Sequence, residues 1–175
     1  GPRIMTVESE FLTFSADKLT QLMGRIETCT GKLNAEQIWA RGSESQNAVG
    51  NLLIHLDGNL RQWMLHGIGE QPDRRDRDSE FAARDGVAAA ELLARLRATV
   101  DEVAALIRSL PHSRLLERHS VQGYDLTVLT AIYHVVEHFS GHTFQIYLMT
   151  KMLTGEDLGF YAHLSGTKPR SSPQP

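Results

Sequence analysis

Asp125-Leu-Thr-Val-Leu-Thr-Ala-Ile-Tyr-His134-Val-Val-Glu-His138-Phe-Ser-Gly-His142-Thr-Phe-Gln-Ile-Tyr-Leu-Met-Thr-Lys-Met-Leu153 decides the fold. Within it Val128, Ile132, Val135, Phe139, His142, Ile146, Met149 and Leu153 recur at alternating spacings of four and three, the heptad of a helix that buries one seam. A histidine therefore occupies a core position. His138 lies one helical turn before His142, so both imidazoles emerge on one side, roughly 5–6 Å apart at Cβ, where two side chains can share an ion. His134 continues the series by number, but the heptad phase carries it, with Glu137, to the outer side of the helix.

A second helix supplies a counterpart. It runs from about Ser45, a good N-cap, to Ile68, where Gly67-Ile-Gly69 ends it. Val49, Leu52, Leu56, Asn59 and Trp63 set its seam and place His55 beside the core. His55, Asn59 and Gln62 then stand in the relation that His138, His142 and Gln145 have on the later helix. Each buried polar group left unpaired costs about 1–3 kcal/mol, so these facing seams need partners, and one bound ion would satisfy several groups at once. Three imidazoles with an open position are the pattern of catalytic rather than purely structural zinc, and nickel and iron accept the same donors. A His-x-x-x-His pair also occurs as satisfied core or surface histidines, and the third ligand depends on how two helices dock. Spacing alone leaves both alternatives open.

Outward from these two segments, the pattern stays helical. A first helix is expected from about Thr6 to Thr30, with Phe11, Leu12, Phe14, Leu19, Leu22, Met23 and Ile26 at helical spacing and Gly31 at its end. A loop follows through Trp39 and Gly42. Ala88 to Leu110, rich in Ala, Leu, Arg and Glu, predicts the third helix, and Pro111 marks its exit. Between the second and third lies Gln71 to Asp85, whose charged run Asp73-Arg74-Arg75-Asp76-Arg77-Asp78 favours a solvated connection. No segment alternates with a period of two long enough to suggest a sheet, and no solenoid repeat is present. The expected fold class is all-α with four principal helices.

Composition narrows the chemistry. The chain has 175 residues, enough for one domain with a substantial core. A net charge of −3 gives no electrostatic reason to expect nucleic acid. Cys29 is the single cysteine, so an intrachain disulfide and multi-thiolate zinc sites are excluded, which fits a reducing cytoplasm. No apolar run approaches the roughly 20 residues that cross a bilayer, so no membrane partner is expected. Residues 1–5 read as a tag remnant or extension with Met5 as a native start, 6–164 as the single domain, and 165–175 as a flexible tail. Tyr133, Phe144, Tyr147 and Leu148 make the outer side of the last helix too apolar for water, so either the Leu158-Phe160-Tyr161 segment or a second subunit is expected to cover it, and a homodimer is predicted.

Asn51-Leu-Leu-Ile-His55-Leu-Asp-Gly-Asn-Leu-Arg-Gln-Trp63, the Arg74 to Phe81 segment, His134-Val-Val-Glu-His138-Phe-Ser-Gly-His142-Thr-Phe-Gln-Ile146 and Asp157-Leu-Gly-Phe-Tyr161 together resemble the DinB/YfiT-like metalloenzyme superfamily. More narrowly, they are similar to a bacterial branch of unknown function. The resemblance implies an up-down-down-up four-helix bundle with a long crossover. It also implies a three-histidine metal site that matches His55, His138 and His142. Phe144 departs from the Gly that many relatives carry before the Gln, and Thr143 from their Arg or His. Characterised relatives include thiol transferases that use bacillithiol or mycothiol and a mycothiol-dependent isomerase. The implied function is a divalent-metal-dependent enzyme, zinc first, taking a small-molecule substrate or low-molecular-weight thiol; the alternative is a noncatalytic metal-binding or stress-associated bundle. Asn59, Gln62 and Gln145 are candidates to orient ligands or substrate, or are polar packing residues. The resemblance also offers the Asp73 to Phe81 stretch as a lid. No residue is assigned as a catalytic acid or base.

Overall fold

Helix α1 (Val7–Thr30) opens on a reciprocal cap: the Thr6 hydroxyl accepts from the Ser9 backbone N–H, and the Thr6 N–H donates to the Ser9 hydroxyl. Two donors that a helix start would orphan are thereby satisfied. A short α2 (Ala35–Trp39) follows, capped in the same way by Asn34 and Gln37. Helix α3 (Val49–Leu60) continues without a break into a wider π-helical turn, Arg61–His66. Then come α4 (Arg77–Ala82), α5 (Ala89–Ser109), a hairpin of β1 (Arg118–Val121) and β2 (Tyr124–Thr127), and α6 (Val128–Thr154). This computed structural model describes residues 5–165. The expectations for residues 1–4 and for the tail beyond Ser165 lie outside them.

The molecule is mostly helical, with α1 packed along α5 and α6 and α3 packed along the same pair. Leu19, Met23 and Ile26 from α1 meet Leu52 and Leu56 from α3, Leu96 and Val103 from α5, and Ile132, Val135, Phe139 and Ile146 from α6, all essentially fully buried. Burying each such side chain contributes about 1.5–3 kcal/mol, and this shared core fixes α3 against α6. The expected heptad of α6 holds for Val128, Ile132, Val135, Phe139 and Ile146, whereas Met149 and Leu153 lie half-buried near the helix end. Thr127 caps α6 at its start and Gly155, at φ 68°, ends it.

Three expectations need correction. Strands are present: β1 and β2 pair antiparallel, with Arg118 opposite Thr127 and Val121 opposite Tyr124. Four residues per strand are too few to register as alternation; the readable signal is the turn, where Gln122 (φ 50°) and Gly123 (φ 81°) take the left-handed conformation that hairpin turns favour. Ser45 does not cap the second helix. The cap position is Ala48, whose N–H donates to Asn51 Oδ1. Asn51 is held there because its Nδ2 donates to the carbonyls of Glu80 and Ala83, tying α3 to α4. The connection after the second helix is not merely a solvated loop, since Arg77–Ala82 form α4, and Glu80 is buried.

The hairpin matters because it walls the site. Gln122 Oε1 accepts from Trp63 Nε1 at 3.0 Å, so the turn is pinned to the π-helical segment. Gly123→Ala is expected to cost about 1–2 kcal/mol, the penalty of a side chain in left-handed backbone. Urea unfolding followed by tryptophan fluorescence reads this loss, together with a changed native emission as Trp63 loses Gln122.

Candidate metal centre

The heptad of α6 and the core seam of α3 bring His55, His138 and His142 to one point. Each offers a ring nitrogen, and the three nitrogens lie within 4.8 Å of one another. His55 Nε2 and His138 Nε2 are 2.9 Å apart. The rings of His142 and His55 are edge-on at 5.0 Å between centroids, and those of His138 and His142 at 4.6 Å. His55 is buried and the other two half-buried. The cluster could hold a divalent metal ion.

Beneath the histidines lies a charged pair that spacing did not reveal. His55 Nδ1 donates to Glu80 Oε2 at 2.8 Å. Arg75 donates to both oxygens of the same carboxylate, from Nε to Oε1 at 2.7 Å and from Nη2 to Oε2 at 3.0 Å. The Glu80 and Arg75 side chains are only 4% and 3% exposed, so each neutralises a charge that would be costly alone. Burial by itself would raise the Glu80 pKa; the hydrogen bonds from His55 and Arg75 outweigh it, and the net shift is downward. The ionised carboxylate fixes His55 as the Nδ1–H tautomer and leaves Nε2 free as a donor to an ion, the arrangement common to metal-ligating histidines. Arg75 Nη2 also lies 3.3 Å from His55 Nδ1, but two donors cannot bond, and the carboxylate takes the proton. Gly58 makes room for this pair: a Cβ there would overlap Glu80 Oε1 and stand 3.1 Å from Arg75 Nε.

With His55 Nε2 carrying a lone pair, the 2.9 Å contact requires His138 Nε2 to donate, which leaves His138 Nδ1 as an acceptor. That atom is buried with no partner among the described residues. Burial, with His142, His55, His134 and Arg75 around it, holds the His138 pKa down to about 3. Burial also lowers that of His142, partly opposed by its bond to Gln145. Both rings are neutral at neutral pH, the form in which imidazole ligates. The residues present therefore fit a metal: three imidazoles converge, one backed by a carboxylate.

The three amide candidates take different places. Gln145 Oε1 lies 2.9 Å from His142 Nδ1 and orients that ring. Gln62 accepts from Arg75 Nη1 at 2.9 Å and donates to Asp73 at 3.0 Å, so it braces the charged pair rather than the cluster. Asn59 lines the cavity over the histidines, 4% exposed, with Oδ1 unpartnered. His134 is a correction. It does not face outward but lines the same cavity, its ring 4.1 Å from that of Trp63 and 5.9 Å from that of His138. The heptad phase set it outside because a core seam says nothing of the flanking groove between α3 and α6. Arg75 also departs from the solvated run in which it stands: it pairs with buried Glu80, five residues on.

The cavity encloses about 650 Å³ and opens between α3, α4, the hairpin and α6, with His55, His138 and His142 among its lining. Its size suits a small molecule. The structure thus has a candidate three-histidine metal centre on a mostly helical fold. The family model described as Protein of unknown function (DUF1572) matches residues 6–166, and the chain belongs to that family. No curated protein matches it.

Depressed histidine pKa values make the metal-free fold acid-sensitive. A histidine that stays neutral when folded but protonates at about 6.5 when unfolded contributes stability that is complete above pH 6.5 and lost as the pH falls toward the folded value. His119 and His134 are lowered by burial as well, so the same sign applies. In chelator, the urea midpoint is expected to fall steadily from pH 7 to pH 5, with His138 alone contributing at most about 2 kcal/mol of that loss.

Proposed function

We propose that the chain is a metal-dependent enzyme built on the up-down-down-up four-helix bundle of the DinB/YfiT-like superfamily, with His55, His138 and His142 holding zinc, or nickel or iron in its place. The observation that carries this is the meeting of three ring nitrogens at the floor of an open cavity, with His55 backed by Glu80. A bound divalent cation would supply a Lewis acid able to stabilise a thiolate or polarise a carbonyl.

The chain's own residues favour a nucleophile brought by the substrate. No Asp or Glu lines the cavity among the described residues, and Glu80 is engaged by Arg75 and His55. Cys29 is buried, burial pushes its thiol pKa up, and it lies outside the lining. A thiol-using S-transferase or a hydrolase-like activity on a small molecule fits these facts. Glu80 orients His55, Gln145 orients His142, and the Trp63 and His134 rings wall off solvent. The absence of a free carboxylate base in the lining also favours the second reading, a bundle that binds metal without turnover.

Protein purified without a nickel column and dialysed against zinc is expected to bind one equivalent per chain by elemental analysis. His138→Ala should lose at least about tenfold in zinc affinity while keeping its helical circular dichroism. Thiol-dependent consumption of an electrophile, lost in the same variant, separates enzyme from binder; stoichiometric zinc with no turnover selects the second reading.

No described helix is long and apolar enough to cross a membrane. We place the protein in the cytoplasm as a homodimer, without nucleic acid. Leu129, Tyr133, Phe144, Leu148 and Met152 are exposed along α6, with open space over Gly141. In the described part of the C-terminal segment, the Phe160 ring packs tilted against that of Tyr147, 5.3 Å between centroids. In a two-fold antiparallel crossing at Phe144, Glu137 of one copy meets Lys151 of the other, since both are exposed and equally spaced from that residue. Light scattering is expected to give twice the chain mass, and Leu148→Asp the single mass; a monomer across a tenfold dilution series rejects the dimer.

A further inference from the structure

The lining of the cavity over the histidines is one-sided in charge. Among the described residues it contains no acid, and of its two arginines Arg75 is neutralised by Glu80. Arg77 has neither a carboxylate nor a hydrogen-bond partner among the described residues. Its guanidinium lies over the Phe81 ring, 4.8 Å from the centroid, on the exposed rim. The four-residue spacing puts Arg77 and Phe81 on one side of α4. Phe81 in turn borders His55, with ring centroids 5.0 Å apart. A free cation thus stands at the mouth, and an aromatic ring leads inward to the histidines.

Deeper in the same lining, Asn59 is almost wholly buried and its Oδ1 has no partner among the described residues. Buried polar side-chain atoms are nearly always satisfied, and those that are not mark a missing water, ion or ligand. Across the cavity Tyr124 presents an exposed ring, 6.0 Å from that of Trp63. Arg74 is the useful contrast. It is also exposed and, among the described residues, unpaired and on no ring, but it lines a different cavity.

We infer that the cavity binds a small organic carboxylate with a flat body that carries an amide or a similar hydrogen-bonding group. Arg77 takes the carboxylate, Phe81 and Tyr124 flank the flat body, and the Asn59 amide pairs with the polar group. The inference deepens the reading of this site as a substrate site and rests on it. A cationic ligand would meet only Arg77 and the histidine cluster, and a neutral one would leave Arg77 without its counter-charge.

N-benzoylglycine, which has the aromatic ring, the amide and the carboxylate, is the probe. It is titrated into the full chain, with zinc already bound, by calorimetry and by tryptophan fluorescence. Saturable binding is expected, with the uncharged N-benzoylglycinamide weaker by about tenfold or more, as expected from loss of a charge-assisted hydrogen bond. Arg77→Ala, a surface change, should weaken N-benzoylglycine by a similar factor and bring it level with the amide. Asn59→Leu should weaken both compounds, and Arg74→Ala neither. No saturable binding to the zinc-loaded chain, equal affinity for acid and amide, or unchanged affinity in Arg77→Ala overturns the inference and leaves the metal site standing. Failure of zinc to bind the wild-type chain overturns the reading beneath it as well.

Discussion

One carboxylate holds the site together. Glu80 sits in the interior because Arg75 closes on both of its oxygens and His55 donates to one of them. An ion pair so placed is not a large net source of stability, because removing two charges from water offsets most of their attraction. Its effect is positional. Losing Arg75 or Glu80 strands the other's buried charge, and the carboxylate they fix holds His55, so the three side chains keep one geometry. Through them α4 is fixed to α3, and the face of His55 that looks toward α6 is set.

The rest of the centre follows from that constraint and from two simpler facts. The α6 heptad sets His138 and His142 beside the core, and the α3 seam does the same for His55. The shared apolar core then decides the approach of the two helices. The hairpin and the π-helical turn add a wall by pinning Gln122 to Trp63. Asn51 completes the frame by holding the backbone of α4 through the Glu80 and Ala83 carbonyls. Four short hydrogen-bonded links therefore turn a helical scaffold into a cavity with three imidazoles at its floor.

Much of this was legible in the residues. The long helices and the stop near Pro111 follow from period, and spacing puts His138 and His142 on one side of their helix; the meeting of His55 with them depends on how two helices dock, which spacing left open and the family resemblance implied. Glu80 was not legible as a partner of His55, since the two are separated by a connection whose conformation no periodicity dictates. The Asp and Arg alternation before it resembled a self-neutralising surface run, and only the folded chain shows Arg75 turned inward. His134 was misread because a heptad assigns a side chain to core or surface and has no category for a groove wall. The hairpin was too short for alternation to register, although Gln122-Gly123 carried a turn signal.

The wide turn at Arg61–His66 has a bearing on how this chain tolerates change in length. There the Gly67 N–H reaches back to the Gln62 carbonyl and the Gly69 N–H to that of Met64, each five residues away rather than four. The loop of backbone thus stores one residue beyond the ordinary pitch. Deleting one residue within it would restore regular winding and leave the downstream chain close to its present phase, whereas the same deletion in the flanking helix would rotate everything beyond it by about 100°. A single-residue deletion in relatives should therefore be absorbed at this turn better than in the flanking helices, and a lineage that lost the extra residue would retain its histidines but move Trp63 and surround them with a differently shaped chamber.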